Sequence, residues 1–173
     1  NMNTYEEQWM SSSKYMLGYE HRDNTVNYET IFDEFITGTG PEKSLIGDRW
    51  HQMNKDIMKS SQFESAIESW KDNGLDSKYY FEGTFGIPGA VKAGTNMTAQ
   101  MLGKAGVSFY PIGDLVVIMV TDSKSKTSWS LNPFAKKEEN NIPRVNGQGG
   151  SESTTHQTYI WTMPKDELLK LDD

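Results

Sequence analysis

The chain has 173 residues, of which 35% are hydrophobic, 24% are charged and 12% are aromatic. This composition is typical of one globular domain, and it excludes a collagen, a coiled coil and wholesale disorder. The net charge is 17 − 24 = −7, and residues 1–50 alone contribute 4 − 9 = −5. Because phosphate contacts need clustered Lys and Arg, we predict no nucleic acid partner, whereas a basic partner protein is compatible with this charge.

Four observations limit where the protein can act and which catalytic chemistry it can use. The sequence contains no cysteine, which excludes disulfides, thiolate catalysis and cysteine-based zinc sites. No run of eighteen apolar residues is present, so we expect no membrane-spanning helix. The N-terminus is polar and acidic, and no signal peptide is visible in it. Because the chain starts with Asn1 and not with Met, we expect a fragment of a longer protein or a chain with a remnant at its start.

Hydrophobic periodicity predicts that the first half is mainly helical. A first helix is expected over residues 5–17, although three consecutive serines interrupt its pattern. The strongest pattern covers residues 26–37, where the apolar side chains recur at helical spacing on one face. Asn27 is a good N-cap for this helix, and Gly38 is a good residue to end it.

The segment that follows is expected to form two further helices, or one helix with a kink. Asp48 is predicted to cap the first part, which runs to about Lys59. Ser61 and Glu64 have the spacing of a capping box for the second part, which ends at Asn73-Gly74. Four side chains of this segment are predicted to be core residues and not a ligand site: Trp50, Phe63, Ile67 and Trp70.

The second half changes to the alternating pattern of β-strands. Two apolar runs flank the turn-forming quartet Pro111-Ile112-Gly113-Asp114, and this arrangement predicts a β-hairpin. A glycine-rich stretch precedes the hairpin, and it can form either a long loop or a short helix around 97–102. The other predicted elements are a strand over 79–85, an exposed polar loop over 132–152, a last strand over 154–163 and a short helix within 165–173.

We therefore predict one α+β domain over residues 1–173. Helices of the N-terminal part, up to about residue 75, are expected to pack on an antiparallel sheet. That sheet is assigned to residues 76–163, and residues 164–173 form a short tail. Neither part looks self-sufficient, because the helices present one apolar stripe and the sheet needs cover on one face.

No motif in the chain predicts a metal or another cofactor. His51 lies five positions before Asp56, whereas two ligands on one helix face need a spacing of four, so His51 is interpreted as a surface histidine or a satisfied structural one. The segment from Gly38 to Ser44 has a superficial likeness to a phosphate-binding loop. It is rejected because Glu42 stands where such a loop needs a glycine before its lysine.

A candidate active site is predicted where the long apolar strand of the hairpin ends beside the last strand. Strand ends next to a polar loop can hold titratable groups on a rigid frame and keep them open to substrate. His156 would exchange protons with the substrate, and Asp122 would orient it. The alternative is that this polar set caps the sheet or is covered by a partner protein. The groups expected to bind substrate there are Lys124, Ser128, Arg144 and Gln157.

Several motifs occur in one order along the chain: Phe35-Ile36-Thr37-Gly38-Thr39-Gly40-Pro41-Glu42, Phe85-Gly86, Thr121 to Ser128, and Gln157-Thr158-Tyr159-Ile160-Trp161. This order resembles the variable C-terminal tails of the Rhs (YD-repeat) proteins of Bacteroidetes, over about residues 28–163. Such tails are typically toxin modules that a large repeat protein carries. They are exported by a contact-dependent route such as type VI secretion, and a cognate immunity protein neutralises them.

The resemblance therefore implies an antibacterial effector domain that is secreted or delivered into a neighbouring cell. Its expected partners are a cognate immunity protein and a secretion carrier or adaptor. The resemblance implies no catalytic residues, and it leaves open whether the effector is an enzyme. Two alternatives remain: a non-catalytic docking module for a carrier or adaptor, and a membrane-disrupting module. The membrane is the less favoured of these, because the apolar hairpin is short for a membrane barrel.

Overall fold

The computed structural model describes residues 18–85, 96–124, 143 and 153–171. These residues form six strands and five helices, which confirms the predicted α+β class. In chain order the elements are β1 (Glu20–Arg22), α1 (Tyr28–Thr37), β2 (Lys43–Ile46), α2 (Gln52–Met58), α3 (Ser61–Asp72), β3 (Tyr79–Thr84), α4 (Met97–Leu102), β4 (Lys104–Ile112), β5 (Leu115–Lys124), β6 (Thr155–Pro164) and α5 (Lys165–Leu169).

The strands form one mixed sheet in the order β1-β2-β6-β5-β4-β3. The four strands of the second half pair antiparallel, as predicted. However, β1 pairs parallel with β2, and β2 pairs parallel with β6, so the sheet is neither wholly antiparallel nor confined to the C-terminal half. The sequence analysis missed β1 and β2 because strands of three and four residues are too short to show an alternating pattern.

Helix α1 begins and ends where the sequence predicts. The side chain of Asn27 accepts a hydrogen bond from the backbone N–H of Thr30 at 3.0 Å, and the Thr30 hydroxyl accepts one from the Asn27 N–H at 3.3 Å. Gly38 ends the helix with a φ of 73°, in the left-handed region that glycine adopts without strain. Local capping chemistry was therefore sufficient to locate this helix.

Helices α2 and α3 start at other residues than predicted. His51 and not Asp48 caps α2, and Ser60 and not Ser61 caps α3. Asp48 instead accepts the N–H of Trp50 at 2.8 Å, in the turn before α2. This turn leaves Trp50 67% exposed, so the prediction that it is a core residue is wrong. The other three predicted core residues, Phe63, Ile67 and Trp70, are fully buried.

The main hydrophobic core lies between the helices and one face of the sheet, which we call the helix face. The sheet contributes Val116, Ile118 and Val120 of β5 to it, together with Tyr159 and Trp161 of β6. Inside this core the rings of Trp70 and Phe109 stack at 4.8 Å between centroids with 2° between their planes. The opposite side, here the second face, carries a smaller cluster formed by Leu45, Val117 and Ile160.

The remaining sequence predictions divide into confirmed elements and untested ones. The strand after residue 78, the short helix α4, the hairpin β4–β5, the last strand β6 and the short helix α5 are all present. The predicted helix over 5–17 and the polar loop over 132–152 fall almost entirely on residues outside the described ranges. Among the described helices, none combines the length and the hydropathy needed to cross a membrane.

Candidate functional site

Three polar side chains form a row across the neighbouring strands β2, β6 and β5. Ser44 is paired with Gln157, and Gln157 is paired with Asp122. Paired residues on adjacent strands share one face at a strand spacing of about 4.8 Å, so the three side chains are neighbours. They are 1%, 2% and 7% exposed, respectively. We call Ser44, Gln157 and Asp122 the polar row.

The polar row lies on the helix face, at the end of the sheet where β5 ends and β6 begins. The next rung toward the middle of the sheet is formed by Ile46, Tyr159 and Val120, and all three belong to the main core. The row therefore stands at the boundary where the apolar interior of the domain gives way to polar groups.

Tyr159 adds a polar group to this site, because it lies next to the polar row among the paired apolar residues Ile46 and Val120. Its side chain is 0% exposed, and none of the described residues offers its hydroxyl a hydrogen bond. Burial, and secondly the negative charge of Asp122, raise the pKa of Tyr159 well above its ordinary value. The hydroxyl is therefore neutral at physiological pH, and it can donate a hydrogen bond.

Gln157 presents the matching acceptor. Its Nε2 donates to the hydroxyl of Thr155 at 2.8 Å, while its Oε1 has no hydrogen-bond partner among the described residues. A buried polar atom without a partner costs about 1–3 kcal/mol of stability. The unpaired acceptor of Gln157 and the unpaired donor of Tyr159 are two residues apart on one face, so a ligand with a donor and an acceptor would pair with both.

At the β1 side the row continues into an ion pair. Arg22 donates to the Ser44 hydroxyl at 3.0 Å, and its two terminal nitrogens donate to the two carboxylate oxygens of Glu34 at 2.8 Å each. Gly40 makes room for this pair, because a Cβ at its position would lie 2.5 Å from the Glu34 carboxyl group. The two glycines of the Thr37-Gly38-Thr39-Gly40 motif thus have structural roles. Gly38 ends helix α1, and Gly40 leaves space for the Glu34 carboxyl group.

His156 does not join Asp122. It is paired with Ser123 of β5 and Lys43 of β2, one position out of step with the polar row, so its side chain projects from the second face. Desolvation lowers the pKa of His156; Glu42 opposes this effect and Lys43 adds to it. The expected pair in which Asp122 orients His156 is therefore not formed.

Of the other predicted site residues, the structure describes Gln157 and Lys124 but not Ser128 and Arg144. Gln157 lies beside Asp122, as expected for a shared site. Lys124 is the last residue of β5, where its backbone pairs with Thr155. Ser128 and Arg144 lie outside the described residues. The substrate-binding roles of Lys124, Ser128 and Arg144 therefore stay predictions.

His51 is a structural histidine, which is one of the two alternatives that the sequence analysis left open. Its Nδ1 accepts the backbone N–H of Met53 at 3.2 Å, so the proton of the neutral ring is on Nε2, which donates to the Asp23 carbonyl at 3.0 Å. Burial is the largest influence on its pKa and lowers it. Over the described ranges, no three His, Asp or Glu side chains come together in a way that could hold a metal ion.

The fold and site together define an α+β domain with a buried polar row at one end of a mixed sheet. Comparisons with protein-family models, with curated proteins and with solved structures returned no match to this chain. A functional proposal therefore depends on the order of motifs described above and on the polar row itself.

Proposed function

We propose that the chain is the antibacterial effector domain of an Rhs-like polymorphic toxin. In this proposal a contact-dependent route delivers it, and a cognate immunity protein neutralises it. The order of motifs along the chain supports this context. The observation that supports an activity is the unpaired Tyr159 hydroxyl, which lies close enough to Asp122 for the carboxylate to raise its pKa.

The groups of the site favour one kind of ligand. Tyr159 supplies an O–H donor, while Gln157 supplies an acceptor oxygen and Asp122 a carboxylate. A substrate group that carries an oxygen acceptor next to an N–H or O–H donor, such as an amide, is complementary to this set. A phosphate is disfavoured, because Asp122 would repel it and Arg22 is already neutralised by Glu34.

The site also supports proton abstraction from such a group. Tyr159 is neutral and can donate a hydrogen bond to an oxygen of the substrate, whereas Asp122 can accept a proton when it is ionised. Both groups are withdrawn from water, which strengthens their interaction with a bound polar group. We therefore assign Asp122 and Tyr159 as the catalytic pair, with Gln157 as the residue that orients the substrate.

The test is growth of a susceptible bacterium that expresses the domain, either in the cytoplasm or with an added secretion signal. We expect the parent to arrest growth in one of these compartments. Tyr159→Phe and Asp122→Asn should be harmless although folded, because each removes one reacting group and little volume. Tyr28→Phe is the matched control, since it removes a hydroxyl at the start of α1 that donates to the exposed side chain of Glu29.

Two results would contradict the proposal at different points. If Tyr159→Phe and Asp122→Asn both remain as toxic as the parent, the polar row is not the active site. If the parent is harmless in both compartments, the effector function itself is excluded. The non-catalytic docking module for a carrier or adaptor then takes its place.

A further inference from the structure

Strand β3 lies at the end of the sheet. It pairs with β4 in an unbroken antiparallel register from Tyr79 opposite Phe109 to Thr84 opposite Lys104, and no described strand lies on its other side. Natural edge strands are usually kept short, bulged, charged or interrupted by proline, because their unpaired N–H and C=O groups attract other strands. β3 has six residues, no proline and no bulge in its pairing, and its charged side chains are Glu82 and, directly before the strand, Lys78.

The side chains of this edge leave aromatic surface uncovered. On the second face Lys78, Tyr80 and Glu82 are exposed, with Tyr80 58% exposed. On the helix face Tyr79 and Phe81 pack against the main core but are only partly buried. The edge therefore offers a strand partner apolar contacts on both faces of the sheet.

The segment Lys78-Tyr79-Tyr80-Phe81-Glu82 is complementary to itself. If two copies pair antiparallel with Tyr80 opposite Tyr80, Lys78 of each copy lies opposite Glu82 of the other. In the same register Tyr79 lies opposite Phe81. Because side chains alternate between faces, each of these pairs shares one face, where opposite charges and aromatic pairs stabilise adjacent strands.

Other ways of pairing two copies of β3 do not bring Lys78 opposite Glu82. Parallel pairing in register places Lys78 beside Lys78 and Glu82 beside Glu82, and like charges directly opposite are destabilising. An antiparallel register centred on Tyr79 or Phe81 sets each charge opposite an uncharged residue or outside the strand. Within one copy Glu82 forms an ion pair with Lys104 at 3.6 Å. Both side chains are more than half exposed, so this ion pair is weak and competes little with pairing to a second copy.

We propose that two copies of this chain form a two-fold symmetric dimer through β3, which joins their sheets into one continuous sheet. A two-fold interface requires that one surface be complementary to itself, and the charge order of Lys78 and Glu82 about Tyr80 meets this requirement. The dimer is independent of the proposed effector function, because β4 lies between β3 and β5, the strand of the polar row that is nearest to β3.

The test is analytical ultracentrifugation of the whole chain over a series of concentrations. The parent should dimerise, and Lys78→Glu or Glu82→Lys alone should raise the dissociation constant of the dimer by about tenfold or more, because each places like charges opposite each other twice. An equimolar mixture of the two single variants should form a heterodimer, since every charge then faces its opposite. The chain with both substitutions should dimerise like the parent.

The matched control is Glu68→Lys, which makes the same charge change on the exposed side of α3 and should leave the dimer intact. Circular dichroism verifies that every variant is folded. A parent that stays monomeric at all concentrations overturns the proposal. So does dimerisation of either single variant with the parent's dissociation constant, or a mixture of the two single variants that does not associate.

Discussion

Asp122 and Tyr159 lie on the adjacent strands β5 and β6 and on the same face of the sheet, and the charge of the first raises the pKa of the second. This relationship depends on strand register, since Asp122 is paired with Gln157 and is therefore the diagonal neighbour of Tyr159. A register shifted by one residue would move Asp122 to the second face and leave Tyr159 in an apolar interior.

Removal of the Tyr159 hydroxyl should not destabilise the domain. Tyr159→Phe keeps the buried ring and deletes an atom without a hydrogen-bond partner, so the free energy of unfolding should stay equal or rise by up to about 1 kcal/mol. Tyr79→Phe is the control, because the Tyr79 hydroxyl bonds to Ser69 and its loss should cost about 1 kcal/mol. Urea titration measures both values; a marked loss in Tyr159→Phe would reveal a partner of the hydroxyl.

The two tryptophans near α2 and α3 should differ sharply in their contribution to stability. Trp70→Ala should cost about 3–5 kcal/mol, because the ring is fully buried and stacked on Phe109. Trp50→Ala should cost no more than about 1 kcal/mol, since its ring is exposed and contacts the Arg49 guanidinium at 4.5 Å. Denaturant unfolding of both variants checks this; similar losses would mean that Trp50 is buried in solution.

Gly40 should tolerate substitution less well than Gly74. Both have a positive φ, of 75° and 81°, so alanine strains the backbone at either position by about 1–2 kcal/mol. A Cβ at Gly74 meets nothing within 4 Å, whereas one at Gly40 collides with the Glu34 carboxyl group. The melting temperature of Gly40→Ala should therefore fall further than that of Gly74→Ala, and equal losses would contradict the role given to Glu34.

Stability should fall as the solution becomes mildly acidic. Burial lowers the pKa of His51 and His156 in the folded state below the ordinary value of 6.5, so the unfolded chain binds more protons below that pH. The stabilisation of the neutral rings is complete above pH 6.5 and is lost as the pH falls through the folded pKa values. His51→Gln should flatten the pH dependence of the unfolding free energy, and a dependence identical to that of the parent would contradict this explanation.

The domain should unfold in one cooperative step. Strand β2 of the N-terminal half is paired with β6 of the C-terminal half, so the two halves belong to one sheet, and this pairing is lost when either half unfolds. Unfolding curves from tryptophan fluorescence and from far-UV circular dichroism should therefore coincide. Two separated transitions would show that the helical and sheet parts are independent units.

The candidate site was predictable only in part. Alternation along the last strand already sets Gln157, Tyr159 and Trp161 on one face and His156 on the other, and the structure agrees. Asp122 and Gln157 were also assigned to one site. The pairing of Asp122 with His156 fails because it requires residues from opposite faces. Tyr159 was overlooked, since an aromatic residue in an apolar strand is usually core, and its unpaired hydroxyl next to Asp122 is visible only in the structure.

The sequence by itself determined the elements whose signals are local. The caps of α1, the turn of the β4–β5 hairpin and the alternation of β6 each depend on a few consecutive residues, and each was located correctly. The tertiary structure alone decided that β1 and β2 join the sheet in parallel, that Trp50 stays exposed, and that Ser44, Gln157 and Asp122 become neighbours. The exposure of Trp50 follows from the turn in which Asp48 accepts its N–H. The other features arise from pairing between strands far apart in the chain, and the periodicity of one segment carries no information about the register of another.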